Sequence, residues 1–175
     1  MPVIRKADQS DAKKLSEIAE RTFRDTFTAM NDAEDVNRYC RATYSESIQA
    51  AEISNPHMVT LLSEAEGNIA GFAQLRWGDA PDCVIAESPG EIQRFYVVDA
   101  WQGKGIARQL MKSSIDEMKR HGSDVVWLGV WENNSRAIAF YRKCGFAEVG
   151  DHVFVLGSDP QRDIVMAATV PTLNA

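Results

Sequence analysis

The chain has 175 residues and a mass of 19.5 kDa, the size of a single domain spanning 1–175. Its apolar fraction of 45% and charged fraction of 25% are those of a soluble globular protein able to bury a core without disulfides. Nineteen Lys and Arg against 25 Asp and Glu leave a formal charge of −6, which disfavours a general nucleic-acid binder.

Val3 to Ala7 reads as a first strand, and Asp8 as the N-cap of a helix starting at Gln9. Leu15, Ile18, Ala19, Thr22, Phe23 and Phe27 recur at helical spacing. Asn31-Asp32 breaks that helix, and Asp32 caps a second through Val36, Tyr39 and Cys40. A third short helix runs from Ser45 to Ile53 and stops at Asn55-Pro56. The period then changes. Met58 to Leu62 and Ile69 to Trp77 form a hairpin around Glu66-Gly67-Asn68. Gly78 to Gly90 is a loop, and Ile92 to Val98 a strand. Gly105 to His121 is a helix with Ile106, Leu110, Met111, Ile115 and Met118 on one face, ended by Gly122. Val125 to Trp131 reads as a strand buried on both faces. Asn134 caps a helix reaching Cys144, with Gly145 beyond it. Phe146 to Leu156 and Arg162 to Val170 pair around Gly157 to Pro160. Strands outnumber crossover helices, so the expected fold is α/β or α+β, a mixed sheet covered by helices.

Several chemistries are disfavoured. Cys40, Cys83 and Cys144 form no C-x-x-C pair and read as reduced, structural thiols. His57, His121 and His152 lack metal-ligand spacing, so no metal is expected. No stretch approaches the roughly 20 apolar residues of a membrane span. Met1 to Lys6 lacks a secretory pattern, so a cytoplasmic location is expected.

The distinctive chemistry lies between Glu91 and Phe146. Gln102-Gly103-Lys104-Gly105-Ile106-Ala107 joins a strand to a helix start. Glycines there let backbone N–H groups converge, and the helix dipole adds about half a positive charge. The result is an anion site suited to a pyrophosphate. The loop lacks the spacing of a nucleotide P-loop. It also fails the Rossmann fingerprint at the third position.

The run Arg94 to Ala107 resembles the acetyl-CoA-binding motif of the Gcn5-related N-acetyltransferases, a strand followed by [R/Q]-x-x-G-x-[G/A], with Gln102, Gly105 and Ala107 at its positions. Asn134, Ala137, Tyr141, Gly145 and Phe146 match the second motif, N-x-x-A-x-x-x-Y-x-x-x-G-F. Thr22 to Phe27, Asn31, Glu34-Asp35, Tyr39, Trp127 to Asn134, and the tail with His152, Phe154, Gly157, Asp163, Ile164 and Met166 are similar to the bacterial polyamine acetyltransferase subgroup. The resemblance implies a mostly antiparallel central sheet flanked by helices and acetyl-CoA as cosubstrate. It also implies a small-molecule amine acceptor, such as spermidine or spermine, and a homodimer.

Site roles follow from the resemblance. Tyr96, Val97 and Val98 lie where pantetheine docks like an extra strand, beside a bulge. A backbone N–H of Val97 or Val98 is placed to bond the thioester oxygen. Gln102 to Ala107 hold the pyrophosphate, and Asn134 is both a cap and a cofactor contact. Tyr141 matches the acid that protonates the leaving thiolate.

An ammonium with a pKa of about 10.4 costs roughly 4.6 kcal/mol to deprotonate at pH 7, so a base or a water chain to one is useful. Glu91 is the candidate, sharing strand parity with Gln93, Phe95 and Val97. Glu34, Asp35 and Glu52 are candidates for binding an ammonium. Three alternatives stay open: a protein or peptide acceptor, an aminoglycoside acceptor, and a non-catalytic acyl-CoA-sensing module.

Overall fold

A computed structural model describes residues 2–173. Seven strands and five helices follow in the order β1 (Val3–Lys6), α1 (Ala12–Phe27), α2 (Ala33–Thr43), α3 (Glu46–Ser54), β2 (Met58–Ala65), β3 (Asn68–Trp77), β4 (Pro89–Val97), α4 (Ile106–Arg120), β5 (Val125–Trp131), α5 (Ser135–Lys143), β6 (Ala147–Leu156) and β7 (Asp159–Thr169). Among the described residues no helix is long and apolar enough to cross a membrane.

Capping sets most helix starts. Asp8 accepts from the Ser10 N–H, while Asp11 accepts from the Asp8 N–H at 2.9 Å. This reciprocal box tightens Gln9–Asp11 into one 3-10 turn, so α1 begins at Ala12 rather than Gln9. Asp32 caps α2 by accepting from the Glu34 and Asp35 N–H groups, and Ser45 caps α3 by accepting from the Ile48 N–H. Two strands run further than their apolar patterns do. β2 reaches Ala65 because Glu66 and Gly67 both take positive φ and close a tight hairpin. β7 begins at Asp159, where Leu156 pairs with Asp159 across an equally short turn.

The sheet order is β1-β2-β3-β4-β5-β7-β6. Only β4 and β5 are parallel neighbours, so the sheet is mixed and mostly antiparallel. On one face α4 and α5 bury Leu110, Met111, Met118 and Ile138 against Leu75, Ile92, Val126 and Leu128. On the other, α1 and α2 bury Leu15, Phe23 and Val36 against Leu62, Phe72 and Trp131. Burying each such side chain contributes about 1.5–3 kcal/mol. β5 is buried on both faces, which explains its nearly unbroken apolar run.

Candidate active site

β4 and β5 pair only over Pro89–Glu91 and Val125–Trp127. Beyond that point the ladder ends and the strands part. A bulge lies just there: Gln74 opposes Arg94 while Leu75 opposes Ile92, so Gln93 is the extra residue. Ile92 and Phe95, three apart, therefore pack on the same α4–α5 side. Glu91 shares its face with Arg94 and Tyr96 instead, which corrects the parity that grouped it with Phe95 and Val97. The parting opens a cavity of about 950 Å³.

One wall of the cavity is the glycine turn that leads into α4, where the sequence predicts an anion loop. Gly103 and Gly105 have φ of +75° and +82°. No heavy atom lies within 4 Å of a Cβ built at either, so the backbone conformation, not lack of room, calls for glycine. Gly105 is the N-cap of α4 and provides no side-chain cap, so the first N–H groups of α4 remain available to an anion. Arg108 and Arg136 border the same space. The Arg136 guanidinium donates to Gln102 Oε1. Gln102 Nε2 donates to Asp99 Oδ1 at 2.7 Å and to the Val97 carbonyl at 3.2 Å, bracing the turn.

Of the residues expected at the cofactor, Tyr96, Val97, Gln102, Gly103, Gly105, Ala107 and Asn134 line the cavity, whereas Val98, Lys104 and Ile106 do not. Ile106 is buried against Ala65 and Ala70. Lys104 Nζ sits 4.5 Å from the Trp101 ring centroid. The Val98 N–H donates to the Ala70 carbonyl at 2.9 Å, so it is not free for a thioester. Antiparallel alternation then turns the Val97 N–H away from β3, toward the open side of the cleft. Asn134 Oδ1 accepts from the Ala137 N–H at 3.2 Å, capping α5 at the cavity rim.

Tyr141 is buried on α5, edge-on to Phe95 at 6.3 Å and to Phe146 at 6.0 Å. Burial pushes its phenol pKa well above the ordinary value, with Cys144 adding to the effect. The hydroxyl therefore stays protonated at neutral pH.

Glu91 is buried and accepts from Arg76 Nε, an ion pair across β3 and β4. Glu34, Asp35 and Glu52 do not border the cavity. Glu34 pairs with Arg41 at 3.0 Å and Glu52 with Arg94 at 2.7 Å. Asp35 accepts from the Ser158 N–H at 2.7 Å.

The structure adds residues that the two cofactor motifs do not mark, although His152 and Asp163 belong to the subgroup resemblance. Arg108 and Arg136 lie within or beside the two motifs, and their positive charge near an anion loop was the available signal. His152 and Asp163 also line the cavity. They oppose each other across β6 and β7, with His152 Nε2 at 3.7 Å from Asp163 Oδ2. Only the strand register brings these two together.

Residues 14–146 match the family model described as the acetyltransferase (GNAT) family. A protein of Lactobacillus delbrueckii subsp. lactis, described as an uncharacterized N-acetyltransferase in the pepI 3′ region, is 32% identical over 158 residues, covering 90% of this chain and 91% of the relative. A spermidine N(1)-acetyltransferase of Thermoplasma acidophilum is 27% identical over 147 residues, covering 82% of this chain and 86% of the relative. The crystal structure of the PaiA N-acetyltransferase from Thermoplasma acidophilum in complex with coenzyme A superposes with a TM-score of 0.79 at 25% identity, covering 97% of this chain and 99% of that one.

Proposed function

This chain belongs to the acetyltransferase (GNAT) family as an acetyl-CoA-dependent N-acetyltransferase, and from that premise we propose that its acceptor is the primary amine of a small molecule, with polyamines such as spermidine in the class. The observation that carries this reading is the cleft that opens where β4 and β5 part. The uncapped N-terminus of α4 faces it from one side, and the buried Glu91 from the other. Phe27, Tyr39 and Phe154 line its acceptor side. They form an aromatic wall, with Tyr39 and Phe154 edge-on at 5.2 Å, which suits a slender aliphatic amine. The spermidine-acetylating relative supports the same class.

The residues present fit acetyl-CoA. Gly103, Gly105, Arg108 and Arg136 offer N–H groups and positive charge to a diphosphate. The free edge of β4 beyond the bulge offers strand-like donors and acceptors to a diamide arm. When bound, the cosubstrate supplies an activated acetyl thioester. The Val97 N–H faces the cleft, where it stabilises negative charge on an acyl oxygen. Tyr141 holds a proton on its phenol oxygen and donates it toward a developing thiolate. The Glu91 carboxylate, paired with Arg76, lines the acceptor face. A homodimer belongs to the same proposal, with β6 the open outer strand and Val153 and Val155 exposed on it.

Thiol release from acetyl-CoA, followed with spermidine, simple alkylamines, aminoglycosides and N-terminal peptides, tests the reading. Turnover with the small amines is expected. Turnover with peptides alone would replace the acceptor class. Binding of acetyl-CoA without turnover of any amine would favour an acyl-CoA sensor.

A further inference from the structure

Asp163 is 9% exposed. Its Oδ1 is buried without a hydrogen-bond partner among the described residues, and its Oδ2 lies 3.7 Å from His152 Nε2. A buried carboxylate left half-satisfied is costly, and the cost falls when a positive charge forms beside it. The neighbouring imidazole is the group able to carry that charge.

The setting keeps the pair open to the cavity. Gly129 lies beside it on β5, where a Cβ would come within 2.8 Å of His152 Nε2 and 3.3 Å of Asp163 Oδ2. The Trp127 ring stands edge-on to the imidazole at 6.3 Å. Glu91, by contrast, is already engaged by Arg76.

We propose that His152, oriented by Asp163, takes the proton from the acceptor ammonium in the β4–β5 cleft. This inference rests on the acetyl-transfer reading above. The acceptor class is an amine protonated at neutral pH. One ammonium proton passes to the imidazole nitrogen that Asp163 does not hold. The freed nitrogen lone pair forms the C–N bond as the C–S bond breaks. A second nitrogen proton replaces the one Tyr141 gives to the sulfur, leaving amide and thiol. His152 then returns its proton to water. Asp163 is a positioning residue whose charge stabilises the imidazolium, the arrangement by which a carboxylate makes a neighbouring imidazole a better base.

The charged groups around the imidazole are Asp163 on β7, Glu91 on β4 with its bound Arg76 on β3, and Asp151 on β6 itself. The carboxylates, Asp163 foremost, raise the His152 pKa above its ordinary value. Below that pKa the imidazole is already protonated and cannot accept, so kcat/KM rises as pH rises through it.

The test is thiol release with acetyl-CoA and spermidine or propylamine across pH, with acetyl-CoA affinity measured alongside as the check on folding. His152→Gln is expected to lower turnover at pH 7 by about 100-fold and to leave acetyl-CoA affinity unchanged. The deficit should narrow near pH 10, where somewhat more than about a quarter of an amine of pKa about 10.4 is already free. Asp163→Asn should move the acid limb of kcat/KM to lower pH, because the imidazole loses its stabilising charge. A merely structural role would not move that limb. A His152→Gln variant with the wild-type rate and profile would overturn the inference and leave acetyl transfer standing. A wild-type chain silent toward every amine would remove the underlying reading, and this inference with it.

Discussion

Tyr141 and Gly105 both line the cleft and fail differently when changed. Tyr141→Phe removes only a hydroxyl from a buried ring held by Phe95 and Phe146. Turnover should fall by about 100-fold while acetyl-CoA affinity stays within about twofold. Gly105→Glu does the reverse. It forces a side chain into φ of +82° and sets a negative charge at the positive end of α4. Acetyl-CoA affinity should drop by tenfold or more, as titration calorimetry would read. Equal effects of both variants on affinity would contradict the division of labour between cradle and acid. The glycine requirement was legible in the sequence, since a G-x-G turn before a helix announces it. The loss of Val98 as a thioester donor was not, because the Ala70 carbonyl that takes its N–H at 2.9 Å comes from a different strand.

At the scale of elements, the start of α1 is tied to the sheet by charge. The Arg5 guanidinium on β1 makes a two-pronged contact with Asp11, at 2.7 and 2.8 Å. This contact holds the Asp11 carboxyl below its usual range. Arg5 also reaches Glu64 on β2 at 2.7 Å. A depressed folded-state pKa means the stabilisation is fully present above the ordinary carboxylate pKa of about 3.9 and fades as pH falls through the folded value. Asp11→Asn should therefore lose about 1–3 kcal/mol at pH 7, from the ion pair and the capping box together. The gap to wild type should shrink in urea melts near pH 3. A constant gap across that range would show that charge plays no part. The helices themselves were readable from their caps and their 3.6-residue spacing. The bulge at Gln93 was not, since no glycine or proline marks it, and it reversed the face assigned to Glu91.

Across the whole molecule, the parting of β4 and β5 is a fault in an otherwise continuous sheet, and a ligand that fills it binds the folded chain alone. Acetyl-CoA at about 100 times its Kd should stabilise the fold by about 2.7 kcal/mol, visible as a rise in Tm. A Gly105→Glu chain should lose most of that rise. The sequence by itself determined the order of elements, the anion loop, the position of Tyr141 and the acyl-transfer chemistry. The elements and the anion loop are written in local spacing, a glycine turn before a helix, a cap, an alternating run, whereas the acyl-transfer chemistry and the part given to Tyr141 came from the resemblance of two motifs to a known family. Tertiary structure alone decided which face Glu91 shares, that Glu34, Asp35 and Glu52 are engaged elsewhere, and that His152 meets Asp163. Those outcomes depend on strand register and packing between residues far apart in the chain, where a shift of one residue exchanges the two faces of a sheet.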